Sequence, residues 1–461
     1  MDFNNIRKYT SAQSRLAAGI AARTLAGILF LACFSLTACK KNYTDPSGPS
    51  SGQAFNSANA LTDVAVGLQN WYSAGRGGLV YNTITADGLL TNQLYVVNAG
   101  NTDEAQLGTG AGAVQNTNGI VTGLWTVSNK IIFDADSVIN QTPRIVTDKN
   151  YASGLIAYAS IFKALAIGDM AMFWDHVPVG IADTLGVSNV SFVTNTQGYL
   201  NAITVIDNAL SVVSANAVSS TFLANVSRIT TGSDTLMVDV INTLYALKAR
   251  YSLLAGNYSD ALTAANKVNR AKKSVFLYNT VTTNPIFTLA TSTNNIYQPV
   301  DSAMGLPAGL QPDPSDKREP FYIGISTANP RYRINGFYNT TTTPIPVYLP
   351  GEILLIKAEC YAQQNDLVNG AAWLDSVVLK QPSQDPFGVG AGLSTPIVVT
   401  DQTDLLTQIY KHRCIELYMS GLRLADERRF GRPTSERKRS YLPYPFVERN
   451  GNSNTPADPV F

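Results

Sequence analysis

The sequence is poor in the side chains that most catalytic and metal centres use. Among its 461 residues there are only two histidines, His176 and His412, so a three-histidine zinc site cannot form. It contains no His-Glu-x-x-His and no Cys-x-x-Cys motif. The spaced glycines Gly108, Gly110 and Gly112 do not match a dinucleotide-binding loop and predict a surface turn instead. The sequence therefore predicts no catalytic residues, no metal site and no cofactor.

Charged side chains are also scarce, because Asp, Glu, Lys and Arg make up only 15% of the sequence. The formal net charge is +1 and no basic stripe stands out, which excludes nucleic acid as a partner. Hydrophobic residues make up 45%, enough for a large core in one unit or two closely packed ones. The four cysteines are too few for a disulfide scaffold. Cys360 and Cys414 lie in helical patterns that favour buried thiols, although their spacing also permits a bridge.

The N-terminus contains an apolar run that is too short to cross a membrane. This run, over residues 25–36, follows a basic segment and leads into Leu-Thr-Ala-Cys, which ends at Cys39, whereas a bilayer core needs about 20 apolar residues. The combination predicts a lipoprotein signal peptide over residues 1–38 and lipidation of the Cys39 thiol. An ordinary secretory signal with a bystander cysteine is the alternative. Residues 39–52 are rich in Ser, Pro and Gly and predict a flexible tether to a membrane anchor of acyl chains.

Two later segments, 249–261 and 358–370, carry small residues at the same offsets. Small residues allow two antiparallel helices to approach closely, and Gly256 or Asn365 between them tolerates a left-handed backbone turn. The pattern predicts tetratricopeptide-like helix hairpins. Other helical patterns cover residues 55–73, 125–140, 154–174, 354–361, 374–379 and 405–429. Trp125 and Trp174 have apolar neighbours in these patterns and are predicted in the core.

Two long regions, 79–123 and 275–350, are predicted to be irregular loops, and loops of that length are uncommon unless they bind a ligand. Tyr95, Tyr297 and Tyr332 stand there among Asn, Gln or Arg side chains. An exposed tyrosine can stack on the apolar face of a sugar ring while such neighbours bond to its hydroxyls. We therefore predict these three tyrosines as ligand-binding residues. Packing against the helices is the alternative for each of them.

The C-terminal segment 409–431 combines a helical pattern with charges at i,i+3 spacing. The predicted pairs, Arg413 with Glu416, Arg423 with Asp426 and Asp426 with Arg429, would form a lattice along one helix face. A solvated charged face is the alternative.

This segment resembles the C-terminal signature of the SusD/RagB family of outer-membrane nutrient-binding lipoproteins, E-R-x-x-E-L-x-x-E-G-x-R-x-x-D-L-x-R-x-G. His412, Ser420 and Glu427 depart from that signature. A Leu-Pro-Tyr-Pro segment at 442–445 is similar to the family's closing segment, so the resemblance spans the chain from Cys39 to its end. The residues that match the signature are Arg413, Glu416, Leu417, Gly421, Arg423, Asp426, Arg429 and Gly431.

The resemblance implies a mainly α fold over residues 53–461, in which tetratricopeptide-like repeats form an α–α superhelix and long irregular loops bind the ligand. It implies a lipid-anchored protein on the outside of the outer membrane. Such a protein binds an oligosaccharide or other nutrient and delivers it to a SusC-like TonB-dependent transporter. The alternative is a helical-repeat lipoprotein that binds a protein partner or peptide, and a lipid-anchored enzyme ranks third.

Overall fold

The chain is mainly helical, as predicted, in the residues that the computed structural model describes: 55–178, 190–231 and 238–461. The predicted signal peptide, Cys39 and the tether up to residue 52 lie outside the described residues. The helices are α1 Ala58–Ser73, α2 Leu79–Leu90, α3 Thr102–Thr109, α4 Gly119–Ile145, α5 Lys149–Phe173, α6 Asn195–Ala215, α7 Ser220–Thr231, α8 Val240–Leu254, α9 Tyr258–Ala265, α10 Arg318–Tyr322, α11 Pro350–Gln363, α12 Leu367–Val378, α13 Gln402–Glu416, α14 Arg423–Arg429 and α15 Phe446–Gly451.

Several of these helices begin at an Asp or Asn side chain that accepts hydrogen bonds from the first turn. Asn118 accepts from two backbone N–H groups at the start of α4, and Asp148 does the same for α5. Asp239 caps α8, and Asp401 caps α13. Because the first N–H groups of a helix have no partner within it, each cap fixes where the helix starts and contributes about 1 kcal/mol.

Helix α5 is the central helix of the core. It is long and apolar enough to cross a membrane by length and composition, but 83% of its most apolar window is buried inside the fold. Helices α4, α6 and α8 pack around it. An apolar surface on all sides is what a helix surrounded by other helices requires, so its composition is explained by burial in the protein.

The two predicted helix hairpins are confirmed. In α8–α9 the turn residue Gly256 has φ +81°, and in α11–α12 the turn residue Asn365 has φ +59°. Both values lie in the left-handed region for which Gly and Asn are suited. A Cβ added to Gly370 would lie 2.8 Å from the Leu405 side chain and 3.3 Å from the Ala358 carbonyl oxygen. Small residues at these offsets therefore allow the close approach of the helices.

The predicted single helix over residues 405–429 is wrong, because the chain breaks it between α13 and α14. Met419 has φ +56° and Gly421 has φ +81°, which no α-helix can continue through. The Gln93 side chain accepts a hydrogen bond from the Met419 N–H at 2.9 Å, and the Gln93 carbonyl oxygen accepts one from the Tyr418 hydroxyl at 3.1 Å. The break is therefore fixed by a segment far away in the sequence.

In the described ranges, eight short strands form four antiparallel pairs: β1 Leu94–Val96 with β5 Tyr297–Pro299, β2 His176–Pro178 with β3 Phe192–Thr194, β4 Val275–Phe276 with β8 Ile345–Pro346, and β6 Ile323–Ile325 with β7 Tyr332–Ile334. Region 275–350 is irregular over most of its length, as predicted, and the elements within it are short strands and single helical turns. Region 79–123 is not irregular throughout, because it contains α2, α3 and the start of α4.

Trp125 and Trp174 lie in the core, where the sequence placed them, with exposed fractions of 2% and 0%. Their rings meet edge to face with centroids 4.9 Å apart. The C-terminal segment 442–448 covers them. The Trp174 indole N–H donates to the Pro443 carbonyl oxygen at 3.0 Å, and the Trp125 indole N–H donates to Glu448 at 3.1 Å. The segment 442–448 thus closes this part of the core.

The two cysteines in the described residues are free thiols. Cys360 and Cys414 are both buried, and burial raises the pKa of each thiol to about 12. They serve as small hydrophobic residues of the core.

Candidate functional site: the β1–β5 face

The strand pair β1–β5 brings the two predicted ligand-binding regions together. Tyr95 lies opposite Gln298, and Val96 lies opposite Tyr297. Strand β7, which carries Tyr332, lies beside β5, and the Ile334 N–H donates to the Gln298 side chain at 3.0 Å. The three candidate tyrosines are therefore on three neighbouring strands although they are far apart in the sequence.

Tyr297 is not an exposed stacking ring, and that prediction is wrong. Its exposed fraction is 0%. Its hydroxyl shares a hydrogen bond of 3.0 Å with Thr85, and its ring lies 6.3 Å from the ring of Tyr81. A ligand cannot reach this ring, so Tyr297 contributes by holding β5 on the core.

Tyr95 and Tyr332 are half-buried and keep part of their surface in solvent. The guanidinium of Arg331 lies 5.7 Å from the centre of the Tyr332 ring, which covers some of that ring. Tyr95 has no such cation in the described residues. Of the three predicted tyrosines, Tyr95 is therefore the most open to a ligand.

Three asparagine side chains lie next to this strand pair. The Asn98 amide donates to the side-chain oxygen of Asn295 at 3.2 Å. The Asn101 amide donates to the carbonyl oxygens of Asn98 at 3.0 Å and of Asn295 at 3.3 Å. Asn98 and Asn295 are exposed. An amide carries both donors and acceptors, which is the combination that sugar hydroxyls need.

Arg76 adds a cation near β1, because its partner Glu104 lies on α3, which contacts that strand. Its side chain is 44% exposed and pairs at 2.8 Å with Glu104, which is fully buried on α3. The Tyr81 hydroxyl donates to the same carboxylate at 2.6 Å, and burial raises the pKa of Tyr81. Glu104 therefore accepts from two donors, and it holds the Arg76 guanidinium at the surface. We call Arg76, Tyr95, Asn98, Asn101 and Asn295 the β1–β5 face.

The sequence patterns did not single out Arg76 as a surface residue near this site. They did not single out Trp71, on the last turns of α1, either. Trp71 is 45% exposed, and the Lys130 ammonium lies 5.2 Å from its ring centre. It precedes Arg76 by five residues, so the two Cα atoms are at most about 18 Å apart. The signal in the sequence was the segment Gly75-Arg76-Gly77-Gly78, which marks a loop after that helix.

An internal cavity of about 70 Å³ lies between α2, α5, α8 and the segment 417–422. Asp169 borders it, and burial raises the pKa of this carboxyl to about 7. Arg250, also at its wall, donates to both carboxylate oxygens of Glu352, at 2.6 and 2.7 Å. Binding cavities for small molecules measure about 300–1,000 Å³, so this cavity is too small for an oligosaccharide.

No group of three or more His, Cys, Asp or Glu side chains within the described ranges could hold a metal ion.

The predicted ion-pair lattice is buried, and its pairs differ from those predicted. Asp426 accepts from Arg413 at 2.8 and 3.1 Å and from Arg429 at 2.7 Å. Arg429 also contacts the buried carboxylate of Glu359. Only the predicted pair of Asp426 with Arg429 is present. The other two pairs keep their i,i+3 spacing within α13 and within α14, but their side chains pair with other charged groups instead. Asp426 is 2% exposed, so the solvated-face alternative is wrong.

The remaining predicted members have other partners. Glu416 pairs with Arg318 at 3.0 Å and Lys380 at 2.8 Å, not with Arg413. Arg423 pairs with Glu427 at 3.2 Å, not with Asp426. Glu427 departs from the family signature, yet it supplies the acid here. These contacts tie α13 and α14 to α10 and to the segment after α12, which makes the cluster a structural element.

His412, a second departure from the signature, belongs to the same buried cluster. Its Nδ1 lies 2.8 Å from a guanidinium nitrogen of Arg318, which can only donate, so Nδ1 accepts the hydrogen bond and the ring is neutral. Burial, together with the charge of Arg318, lowers its pKa well below the usual value.

No protein-family model matches the sequence, and no curated protein matches it. Solved structures do match. A SusD superfamily protein from Bacteroides thetaiotaomicron is 14% identical, and the match covers 87% of this chain and 100% of the other with a TM-score of 0.67. A SusD-like carbohydrate binding protein from Bacteroides fragilis is 15% identical, with 87% and 99% covered and a TM-score of 0.66.

A third structure is described as a laminarin binding SusD-like protein. It is 15% identical, the match covers 88% of this chain and 99% of that one, and the TM-score is 0.59. Identities this low establish the architecture alone, but the matches extend over nearly the full length of the solved chains. The helix hairpins, the strand pairs between them and the comparisons agree: this protein has the fold of the SusD superfamily.

Proposed function

We propose that this protein is a surface-exposed lipoprotein of the outer membrane that binds an oligosaccharide on the β1–β5 face and delivers it to a SusC-like TonB-dependent transporter. The observation that carries the proposal is the pairing of β1 with β5, which assembles Tyr95 and the asparagine amides from two distant regions. Structures with the same fold are described as carbohydrate-binding or laminarin-binding, which supports a sugar ligand. The lipid anchor and the transporter rest on the resemblance and on the Cys39 motif.

The chemistry of the face suits a sugar better than a peptide strand. Amide groups at Asn98 and Asn295 offer donors and acceptors at the rim, Tyr95 offers a ring, and Arg76 offers donors to hydroxyls. Strand β5 is buried along its length and β7 packs beside it, so a peptide strand cannot reach its edge. A protein partner bound by the helical repeats remains the second candidate.

We expect Tyr95→Ala to weaken oligosaccharide binding about tenfold or more, which corresponds to about 1.4 kcal/mol, because the variant removes the most open ring of the face. A binding screen over soluble glucans, laminarin among them, and other polysaccharides first identifies the ligand. Isothermal titration calorimetry then measures its affinity for the variant and the unaltered protein. Unfolding should change little, since Tyr95 is half-buried.

Tyr245→Ala is the matched control, because Tyr245 is also half-buried but lies on α8. It should bind as the unaltered protein does. If no glycan in the screen binds saturably while a peptide or protein does, the second candidate replaces the first.

The anchor is tested by Cys39→Ala in the host cell. We expect the variant to accumulate as an unprocessed precursor and to lose its partition into the detergent phase, because no other cysteine of the motif can receive the lipid. Cys33→Ala, inside the same apolar run, should be processed and anchored normally. A mature, membrane-bound Cys39→Ala protein would exclude lipidation at Cys39. Protease treatment of intact cells then tests exposure at the surface, and copurification with a TonB-dependent transporter tests the partner.

A further inference from the structure

The indole of Trp373 on α12 is flanked by two cations. The Lys357 ammonium, on α11, lies 4.3 Å from the ring centre, and the Arg270 guanidinium, after α9, lies 5.9 Å from it. Neither cation has a carboxylate partner in the described ranges, in contrast to the buried cations Arg250, Arg318 and Arg413. Lys357 is 7% exposed, and its ammonium keeps contact with solvent.

A cation that is largely withdrawn from water and has no counter-charge loses hydration that nothing replaces. Cation–π contact with an indole returns about 0.5–2 kcal/mol, which is less than a charged partner supplies. Burial lowers the pKa of Lys357, and the nearby charge of Arg270 lowers it further. The arrangement therefore lacks a negative charge that would balance both cations at once.

The segment that carries Arg270 concentrates positive charge. Residues 267–273 contain four exposed cations and no acid. Only Lys272 has a carboxylate partner among the described residues, Asp239 at 2.9 Å. The cations of the segment are Lys267, Arg270, Lys272 and Lys273.

The segment is held in a fixed shape. The Asn242 side chain accepts from the Asn269 N–H at 2.7 Å and donates to the Asn269 carbonyl oxygen at 3.0 Å. The Asn269 side chain in turn accepts from the Ala271 N–H at 3.1 Å. Arg270 is therefore positioned before any ligand arrives, which lowers the entropy lost on binding.

We propose that Lys357, Arg270 and Trp373 form a second binding site, for an acidic sugar residue whose carboxylate or sulfate ester lies between the two cations. Both cations lie within 5.9 Å of one ring centre, so a ligand that packs against the half-buried ring brings its anionic group near both. Charged hydrogen bonds to such a group are about twice as strong as neutral ones, and an indole edge or face suits the apolar side of the sugar ring. The site lies on α11, α12 and the turn after α9, not on the β1–β5 face, so it does not depend on the function proposed above.

The test is titration of the purified protein with oligogalacturonate and, separately, with the uncharged oligosaccharide of the same length. We expect saturable binding of the acidic probe that weakens as salt is raised, together with a change in tryptophan fluorescence that Trp373→Phe removes. Lys357→Met and Arg270→Met should each weaken binding at least tenfold. Lys357→Arg should restore most of it.

Lys248→Met is the matched control, because Lys248 already pairs with Asp207. This variant should leave binding of the acidic probe unchanged. Melting curves show whether each variant folds, and Lys357→Met should fold because it removes an unpaired charge. Three results would overturn the site: equal affinity for the uncharged probe, unchanged affinity in Lys357→Met, or sulfate ion alone binding as tightly as the oligomer. If Tyr95→Ala instead abolishes binding of the acidic probe, the probe occupies the β1–β5 face and the second site is wrong.

Discussion

Asp426→Ala is expected to lower the free energy of unfolding by about 3–5 kcal/mol. The carboxylate is the common acceptor for Arg413 and Arg429, and it is 2% exposed. Its removal leaves the Arg413 guanidinium buried without a carboxylate partner among the described residues, and a buried charge cannot recover its lost hydration. Denaturant unfolding followed by circular dichroism measures the change.

Two controls separate burial from charge in this experiment. Asp207→Ala breaks a pair with Lys248 in which Asp207 is 46% exposed, so it should cost less than about 1 kcal/mol. The double variant Arg413→Leu with Asp426→Leu removes both charges and keeps the contact of Arg429 with Glu359. It should be more stable than Asp426→Ala, since replacing a buried pair by apolar residues is often neutral. A loss near zero in Asp426→Ala would show that this helix end is open to water.

Trp174→Ala is expected to cost about 3–5 kcal/mol, because it empties a large fully buried site and leaves the Pro443 carbonyl oxygen without its donor. Neighbouring rings cannot fill the space easily, since Trp125 is itself held by Glu448. Thermal and denaturant unfolding measure the loss.

The matched control is Trp71→Ala, which removes the same side chain from a position that is 45% exposed. Its loss of stability should be much smaller, because half of the ring never left water. Equal losses in the two variants would contradict the contrast between a core and a surface tryptophan.

The helix hairpins could be predicted because their signals are local. Gly256 and Asn365 sit at turns where the backbone is left-handed, and that requirement is visible in the residue type alone. The apolar composition of α5 likewise reflects its burial on all sides. The prediction of one helix over 405–429 was wrong because the charges there have helical spacing throughout. The break at Met419 and Gly421 depends on Gln93, more than three hundred residues earlier.

The candidate site could be predicted only in part. Tyr297 stands between polar residues in the sequence, yet Gln298 beside it is buried too and bonds to Ala290 and to the Ile334 N–H. A buried polar side chain that satisfies its hydrogen bonds looks the same in sequence as an exposed one. Arg76 was missed because its value as a surface cation depends on Glu104 beneath it. Pairings between distant segments, such as Glu416 with Arg318, leave no local pattern.

The packing of residues 442–448 over the tryptophan pair sets an order for the folding reaction. Trp174 and Pro443 are joined by a hydrogen bond although 269 positions separate them. Contacts between such distant residues form only after a long loop has closed, and they cannot form on a nascent chain before its end is synthesised. Until that moment Trp125 and Trp174 present an uncovered apolar surface of the kind that promotes aggregation. Docking of residues 442–448 therefore closes the core late in folding, and the tryptophan pair stays uncovered until it occurs.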